Sequence, residues 1–200
     1  MSMRKVIYTL AFVGGFVIMS LELLGGRVLA PYFGSSIHVW GSIITVFMLS
    51  LSIGYLLGGR LSVKEPSLKK FAIVFLMAAI LLYPLVYYSE AVMMIIFEHI
   101  EDPRYGSLLA SGMLFALPTI LLGMISPYSV RLLVQTTEES GYMAGRLYFV
   151  STLGSAIGTL ATSFYLVLYF EVNTILGGLT VSLLAVGVLA IVTHRRGLSS

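Results

Sequence analysis

The stretch VIYTLAFVGGFVIMSLELL, residues 6–24, decides the class of this protein, because Glu22 is its one charged side chain. A helix needs about 20 mainly apolar residues to cross a hydrocarbon core roughly 30 Å thick. Arg4 and Lys5 precede the stretch and mark its inner boundary. The stretch therefore predicts a membrane-spanning helix, and an uncleaved one, since Glu22 interrupts it well before the nearest small-residue cleavage pattern.

Five further apolar runs of the same kind follow it. Together the six predicted helix cores cover approximately residues 6–24, 39–61, 71–88, 108–125, 147–170 and 174–193. The runs are continuous, whereas the strands of a membrane β-barrel alternate apolar and polar residues over segments of about ten. We therefore predict an all-α integral membrane protein in which residues 1–200 form a single six-helix transmembrane domain.

The composition agrees with this class. Hydrophobic residues make up 58% of the 200-residue chain and charged residues only 10%, whereas soluble domains are typically about 25% charged. The chain has no cysteine, which excludes thiol catalysis, disulfides and cysteine-based zinc or iron–sulfur sites.

The positions of the basic residues predict the orientation. With the N-terminus inside, the inner segments carry ten basic residues and the outer segments two, and short cytoplasmic loops carry such an excess. The inner residues are Arg4, Lys5, Arg60, Lys64, Lys69, Lys70, Arg131, Arg146, Arg195 and Arg196, and the outer ones are Arg27 and Arg104. We expect a multi-pass protein of the cell inner (plasma) membrane with both termini cytoplasmic. The net charge of +3 then reflects topology, and no nucleic-acid partner is expected.

Glu22 is the first candidate site residue, since ionisable side chains inside membrane helices are rare and commonly functional. Its distance from Lys5, roughly 25 Å along a helix, puts it near the outer boundary. Two interpretations stay open: a structural carboxylate at the interface, or a group that binds a cation, a proton or a substrate amine.

A charge of the opposite sign lies close by in the sequence. Arg27 is five residues from the carboxylate, which puts the two about 140° apart on an unbroken helix. Gly25 and Gly26 lie between them and predict a break, as in the discontinuous helices of transporters. Tyr32 and Trp40 flank the first outer loop and complete the predicted substrate- or ion-binding set.

Small residues at a spacing of four predict close helix packing. Gly54 and Gly58 form such a pair in the second helix, and Gly154 and Gly158 form one in the fifth. They indicate contacts within the chain or a dimer face. The fifth helix also carries Ser or Thr at positions 151, 152, 155, 159, 162 and 163, which suits a face turned toward the bundle interior.

No catalytic group of residues is recognisable, so the chain is not expected to be an enzyme by itself, and no cofactor or metal is expected. The three histidines are scattered, and no phosphate-binding loop or nucleophile motif is present. The segment 90–106 is expected to be an outer connection that carries a short amphipathic helix over residues 92–98. Its residues 98–102, EHIED, read as a solvated acidic loop, with an outer metal site as the alternative.

Several motifs carry a resemblance to a known family. The stretches ELLGGRVLAPYFGSS (22–36), WG (40–41) and SIGYLLGGRL (52–61) resemble the membrane domain of membrane-bound spermidine synthase-like proteins, which are fusions of a major-facilitator-like part and an aminopropyltransferase. LPTILLGMISP (117–127), GRLY (145–148) and STLGSAIG (151–158) are similar to it as well. The resemblance implies that the six helices correspond to half of a major facilitator bundle.

The stretch GGRLSVK (58–64) also resembles the loop that follows the second helix of major facilitators. In major facilitators an Asp occupies the position of Val63 and takes part in the charge relay that gates transport. Because this chain has Val63 instead, the resemblance does not extend to that gating role. We assign Arg60, Lys64 and Arg146 to gating or to the inner loops. The soluble synthase domain of the fusions is not among these residues, so aminopropyl transfer is not assigned to them.

Two functions follow from these observations. The first is a transporter-like module for a small cationic or amine-bearing molecule, related to polyamines or amino acids. The second is a membrane anchor or regulatory module for a cytoplasmic aminopropyltransferase-like or methyltransferase-like partner. The expected partners are the lipid bilayer, a second copy of the chain in a homodimer, and a cytoplasmic spermidine synthase-like protein.

Overall fold

The computed structural model describes residues 3–100, 102–134 and 136–198, without the side chains of 196–198. Within this part of the chain the protein is all-helical. Six helices are long and apolar enough to cross a membrane: α1 (Met3–Phe33), α2 (Ile37–Val63), α3 (Leu68–His99), α4 (Pro103–Leu133), α5 (Ser140–Tyr169) and α6 (Val172–Leu198). The side chain of Arg196, one of the ten inner basic residues, and Glu101 of the EHIED stretch lie outside the described residues.

Local sequence sets the ends of these helices. The Ser67 hydroxyl accepts a hydrogen bond from the Lys70 backbone N–H at 3.2 Å at the start of α3. Asp102 caps α4 by accepting from the Arg104 N–H at 2.9 Å. Such caps satisfy backbone donors that the first turn of a helix leaves free. Gly34, at a φ of +76°, lets the chain turn between α1 and α2.

The third helix is longer than the sequence predicted. It continues through residues 89–99, so the expected outer connection with a separate short helix is wrong, and α4 begins at Pro103. The apolar residues of this extension pack against α1: the Phe97 ring meets the Phe33 ring edge-on, with centroids 5.8 Å apart. At 32 residues, α3 is roughly 48 Å long and extends beyond a typical hydrocarbon core.

The first helix is also continuous, so the predicted break at Gly25–Gly26 is wrong. A Cβ on Gly26 would lie 2.7 Å from the Trp40 ring, and one on Gly25 would lie 3.3 Å from the Phe115 ring. The two glycines therefore make room for aromatic side chains of α2 and α4, and an unwound backbone is not needed to explain them.

Two helices contain irregular turns. In α4 the regular helix ends at Gly123 and resumes at Ile125, between Pro118 and Pro127. The Met124 N–H bonds to the Leu121 carbonyl at 3.1 Å, three residues back. In α5 a π-helical turn spans Thr162–Leu166. This turn was not predicted, and such turns occur often at functional positions.

Three helix pairs make up the bundle. α1 packs along α5, α2 along α4, and α3 along α6, while α1 also contacts each of the other helices. Buried aromatic side chains fill the end of the bundle next to the turn between α2 and α3, where the Tyr128 ring stacks on Phe71 with centroids 5.3 Å apart. α2 and α5 both flank α1, and the gap between them forms the site.

Candidate functional site

A groove runs between α2 and α5, with α1 as its floor, and consists of two clefts. The larger, of about 580 Å³, we call the hydroxyl cleft. It is lined by Gly15, Ile18, Met19, Leu51, Tyr55, Ser126, Pro127, Tyr148, Ser151, Thr152 and Ser155. Six of these side chains carry a hydroxyl and none is charged, which is an unusual lining for the interior of a membrane domain.

Close packing of α5 on α1 positions the hydroxyls on one wall of this cleft. The Ser155 hydroxyl donates to the Gly15 carbonyl at 3.2 Å and lies 3.2 Å from the Ser151 carbonyl. A Cβ on Gly15 would lie 2.9 Å from that hydroxyl oxygen. The absence of a side chain at Gly15 therefore brings the polar face of α5 onto the floor of the groove.

Two tyrosines stand at the sides of the hydroxyl cleft. Tyr55 comes from α2 and Tyr148 from α5, and they are 48% and 54% exposed. Phenol rings attract cations over their faces, and their hydroxyls donate and accept hydrogen bonds. The cleft thus offers both ring faces and hydroxyls to a ligand that enters between α2 and α5.

The second part of the groove, which we call the outer cleft, has about 290 Å³. It is lined by Leu23, Gly26, Arg27, Ala30, Ser35, Trp40, Thr162, Ser163 and Val167. Trp40 forms part of its wall and packs over Gly26. The π-helical turn of α5 contributes Thr162 and Ser163.

Glu22 lies on the α1 face between the two clefts. It is half-buried, four residues after Ile18 of the hydroxyl cleft and four before Gly26 of the outer cleft, so the three share one helix face. α1 continues over residues 23–33, roughly 16 Å at 1.5 Å per residue. Glu22 therefore lies within the continuous α1, about three turns from its C-terminal end, and its position near the outer boundary of the membrane stays a prediction.

The structure does not bring the four predicted binding residues together. Arg27 and Trp40 line the outer cleft, but Tyr32 lies on another side of α1. There its hydroxyl donates to the Glu90 carbonyl at 3.4 Å. A third cleft of about 300 Å³ is formed at this place, with Arg27, Glu90 and Glu171 among its lining residues. Arg27 thus borders two clefts.

The three residues assigned to the inner loops have separate surroundings. Arg60 is exposed in the last turn of α2. The Lys64 carbonyl accepts a hydrogen bond from the Lys70 ammonium at 2.9 Å, which ties the turn after α2 to α3. The Arg146 guanidinium lies over the Tyr8 and Tyr142 rings, 5.5 and 5.6 Å from their centroids.

Both glycine motifs lie in contacts within the chain. A Cβ on Gly58 would be 2.6 Å from the Met124 Cα, and one on Gly54 would be 2.8 Å from the Gly123 Cα. Gly154 and Gly158 face the α1 backbone at Phe12 and Phe16 in the same way. These faces are therefore occupied by α4 and α1.

Sequence reasoning missed several lining residues of the groove. Tyr55, Ser126 and Tyr148 were not selected, although the run of Ser and Thr along α5 was noted. Thr162 belongs to a buried pair: its hydroxyl donates to the Ser20 hydroxyl at 2.8 Å, which in turn lies 3.4 Å from the Gly158 carbonyl. The signal available in the sequence was a polar side chain of α5 at every third or fourth position.

The groove offers hydroxyl oxygens and aromatic faces, with Arg27 in the lining of its outer cleft and Glu22 on the α1 face between the two clefts. The hydroxyls and ring faces suit a cationic or hydrogen-bonding ligand. Within the described residues no group of three or more His, Asp or Glu side chains is placed to hold a metal ion. Comparisons with protein families, with curated proteins and with solved structures gave no match to this chain.

Proposed function

We propose that this protein is a membrane transporter module for a small cationic or amine-bearing molecule, and that the groove between α2 and α5 is its passage. The observation that carries the proposal is the hydroxyl-lined cleft between α2 and α5, with Glu22 four residues from Ile18 and Gly26 on the same face of α1. A carboxylate and a row of hydroxyls inside a membrane domain are costly in contact with lipid. They are favourable where water or a polar ligand occupies the groove.

The chemistry of the groove favours amines. An ammonium group donates up to three hydrogen bonds, and serine, threonine and tyrosine oxygens can accept them. Tyr55, Tyr148 and Trp40 provide ring faces that attract a cation. A cleft of about 580 Å³ lies within the range of roughly 300–1,000 Å³ typical of small-molecule sites. Polyamines and amino acids are ligands of this class.

The resemblance and the charge pattern complete the proposal. We assign the chain to the membrane domain of the spermidine synthase-like family, and its bundle to half of a major facilitator. The proposal places the protein in the cell inner membrane with both termini cytoplasmic, and the ten-to-two distribution of basic residues supports that orientation. A cytoplasmic C-terminus would also permit the alternative function, an anchor for a cytoplasmic aminopropyltransferase-like partner.

Flux into proteoliposomes tests the proposal. The purified protein is reconstituted, and uptake and efflux of labelled spermidine, putrescine and a set of amino acids are measured. We expect transport of at least one amine, and its loss in Glu22→Gln, which keeps the size of the side chain and removes its charge. Glu98→Gln is the matched control, because Glu98 is exposed near the end of α3, outside the groove.

Two outcomes would contradict the proposal. Equal flux in Glu22→Gln and Glu98→Gln would remove Glu22 from the mechanism. Flux no faster than in protein-free liposomes for every amine tested would remove transport itself and leave the anchor function as the better account.

A further inference from the structure

We propose that a second copy of this chain covers the groove, with α2 of each copy packed against α5 of the other. The groove is open on the side that a single copy turns toward lipid. A homodimer was one expectation from the sequence, and the structure indicates which face it uses. The interface is argued without the proposed function; only the use of the covered groove as a passage for amines rests on that function.

The first observation is the exposure of α5. Only 17% of its most apolar 18-residue window is buried, against 39–56% for the corresponding windows of the other five helices. α5 nevertheless has the lowest mean hydropathy of the six, 1.3. The least apolar helix is thus the one with the least cover from its own chain, which is the reverse of what a lipid-facing position requires.

The second observation is the shape of the two edges of the groove. Thr152, Ala156, Thr159 and Ser163 follow one another at spacings of three and four on α5, so they share a face. Thr152, Ala156 and Ser163 are exposed, and Thr159 is half-buried. This small-residue face is distinct from the Gly154–Gly158 face, which is occupied by α1.

The edge contributed by α2 is complementary to it. Ile44 and Met48 lie one helical turn apart and are 42% and 64% exposed. Large side chains on one helix fill the space left by small residues on another, and small residues allow membrane helices to approach closely. A two-fold axis along the membrane normal would form this contact twice and keep both copies in the same orientation.

The amount of exposed surface is consistent with such an interface. The chain exposes 10754 Å², whereas a compact folded protein of 21.8 kDa exposes roughly 9,300 Å². The difference of roughly 1,500 Å², taken over the whole chain, has the size of the roughly 1,000–2,500 Å² per partner that permanent interfaces bury. Closure by a second copy would also enclose both hydroxyl clefts and both Glu22 side chains in one cavity.

Cross-linking in membranes tests the proposal, and the absence of cysteine in the sequence makes single-cysteine variants specific. Met48→Cys with one affinity tag is co-expressed with Ala156→Cys carrying another. Met48 lies 15 residues before the end of α2 and Ala156 lies 16 after the start of α5, so both are roughly 22–24 Å from the inner helix ends. A short bis-maleimide is added to the membranes, and species that carry both tags are quantified.

The matched control is the pair Ile80→Cys and Val181→Cys. These residues are 62% and 64% exposed on α3 and α6, away from the groove. We expect several-fold more doubly tagged dimer from the groove pair than from the control pair. Labelling by N-ethylmaleimide confirms that both cysteines are present and accessible in each sample.

Equal cross-linking of the two pairs would overturn the proposal, as would no doubly tagged dimer from the groove pair when both of its cysteines are labelled. A product between Ala156→Cys and a different protein would also overturn it, because another chain would then cover the groove. The outcome is separable from the proposed function: a dimer without flux leaves this interface standing, and flux without this dimer leaves the transporter proposal standing.

Discussion

Gly158→Ala tests how the groove is held open, because it acts on the contact between α1 and α5. A Cβ at this position would lie 2.5 Å from the Phe16 carbonyl oxygen and 2.9 Å from its Cα. Ordinary van der Waals contact begins at about 3.4 Å. Both neighbours are backbone atoms, so no side chain can move aside, and the two helices must separate by roughly 0.5–1 Å.

The magnitude follows from two opposing effects. A gap of this size forfeits roughly a quarter to a half of each dispersion contact across it, and overpacking of this kind typically costs about 1–3 kcal/mol. Alanine in place of glycine in a helix returns about 0.5–1 kcal/mol. We expect a net destabilisation of about 1–2 kcal/mol, equivalent to a fall of roughly 2–8 °C in the melting temperature for a chain of this size.

The assay is thermal unfolding of the purified protein in detergent, followed by circular dichroism and by the fluorescence of Trp40, the single tryptophan. Gly177→Ala is the control, because a Cβ there meets no atom within 4 Å. Its melting temperature should equal that of the wild type or exceed it. If Gly158→Ala were as stable as Gly177→Ala, the close contact of α5 with α1 would be wrong.

Two further predictions concern the contact of Tyr128 with the turn before α3 and the membrane topology. Tyr128→Phe removes the hydroxyl that accepts a hydrogen bond from the Ser67 N–H at 3.0 Å and donates one to the Ser67 carbonyl at 3.2 Å. Thermal unfolding should show that the free energy of unfolding falls by about 1–3 kcal/mol. The control Tyr142→Phe, at an exposed position, should leave it unchanged. An alkaline phosphatase reporter fused after residue 198 should be inactive, while the same reporter inserted after Gly34 should be active; the reverse pattern would overturn the proposed orientation.

The six spans could be predicted because each is encoded by a continuous apolar run. Their lengths were less predictable: residues 92–98 suit an interfacial helix as well as a longer α3, and the contact of Phe97 with Phe33 in α1 favours the longer helix. The helix break predicted at Gly25 and Gly26 was wrong for a similar reason. A glycine pair is compatible both with a break and with close packing, and the position of Trp40 decides between them.

The candidate site was only partly predictable. Glu22 was recognisable from its charge alone, and the run of Ser and Thr on α5 was visible in the sequence. Tyr55 and Ser126 could not be selected, since their place in the cleft depends on which helices pack together. No single apolar segment of the sequence specifies that packing arrangement. The separation of Tyr32 from Trp40 depends likewise on the direction in which each side chain leaves α1 and α2.

Blocking the groove tests the central claim most directly. Ser126 lines the hydroxyl cleft from α4, and Ser126→Cys would be the only thiol in the protein. Amine flux into proteoliposomes is measured for this variant before and after reaction with a bulky maleimide, and Val181→Cys on the exposed side of α6 is treated in the same way. The account predicts that labelling abolishes flux in Ser126→Cys, that the transported amine slows the labelling, and that Val181→Cys is unaffected. Flux that continues unchanged through a fully labelled Ser126→Cys protein would contradict it.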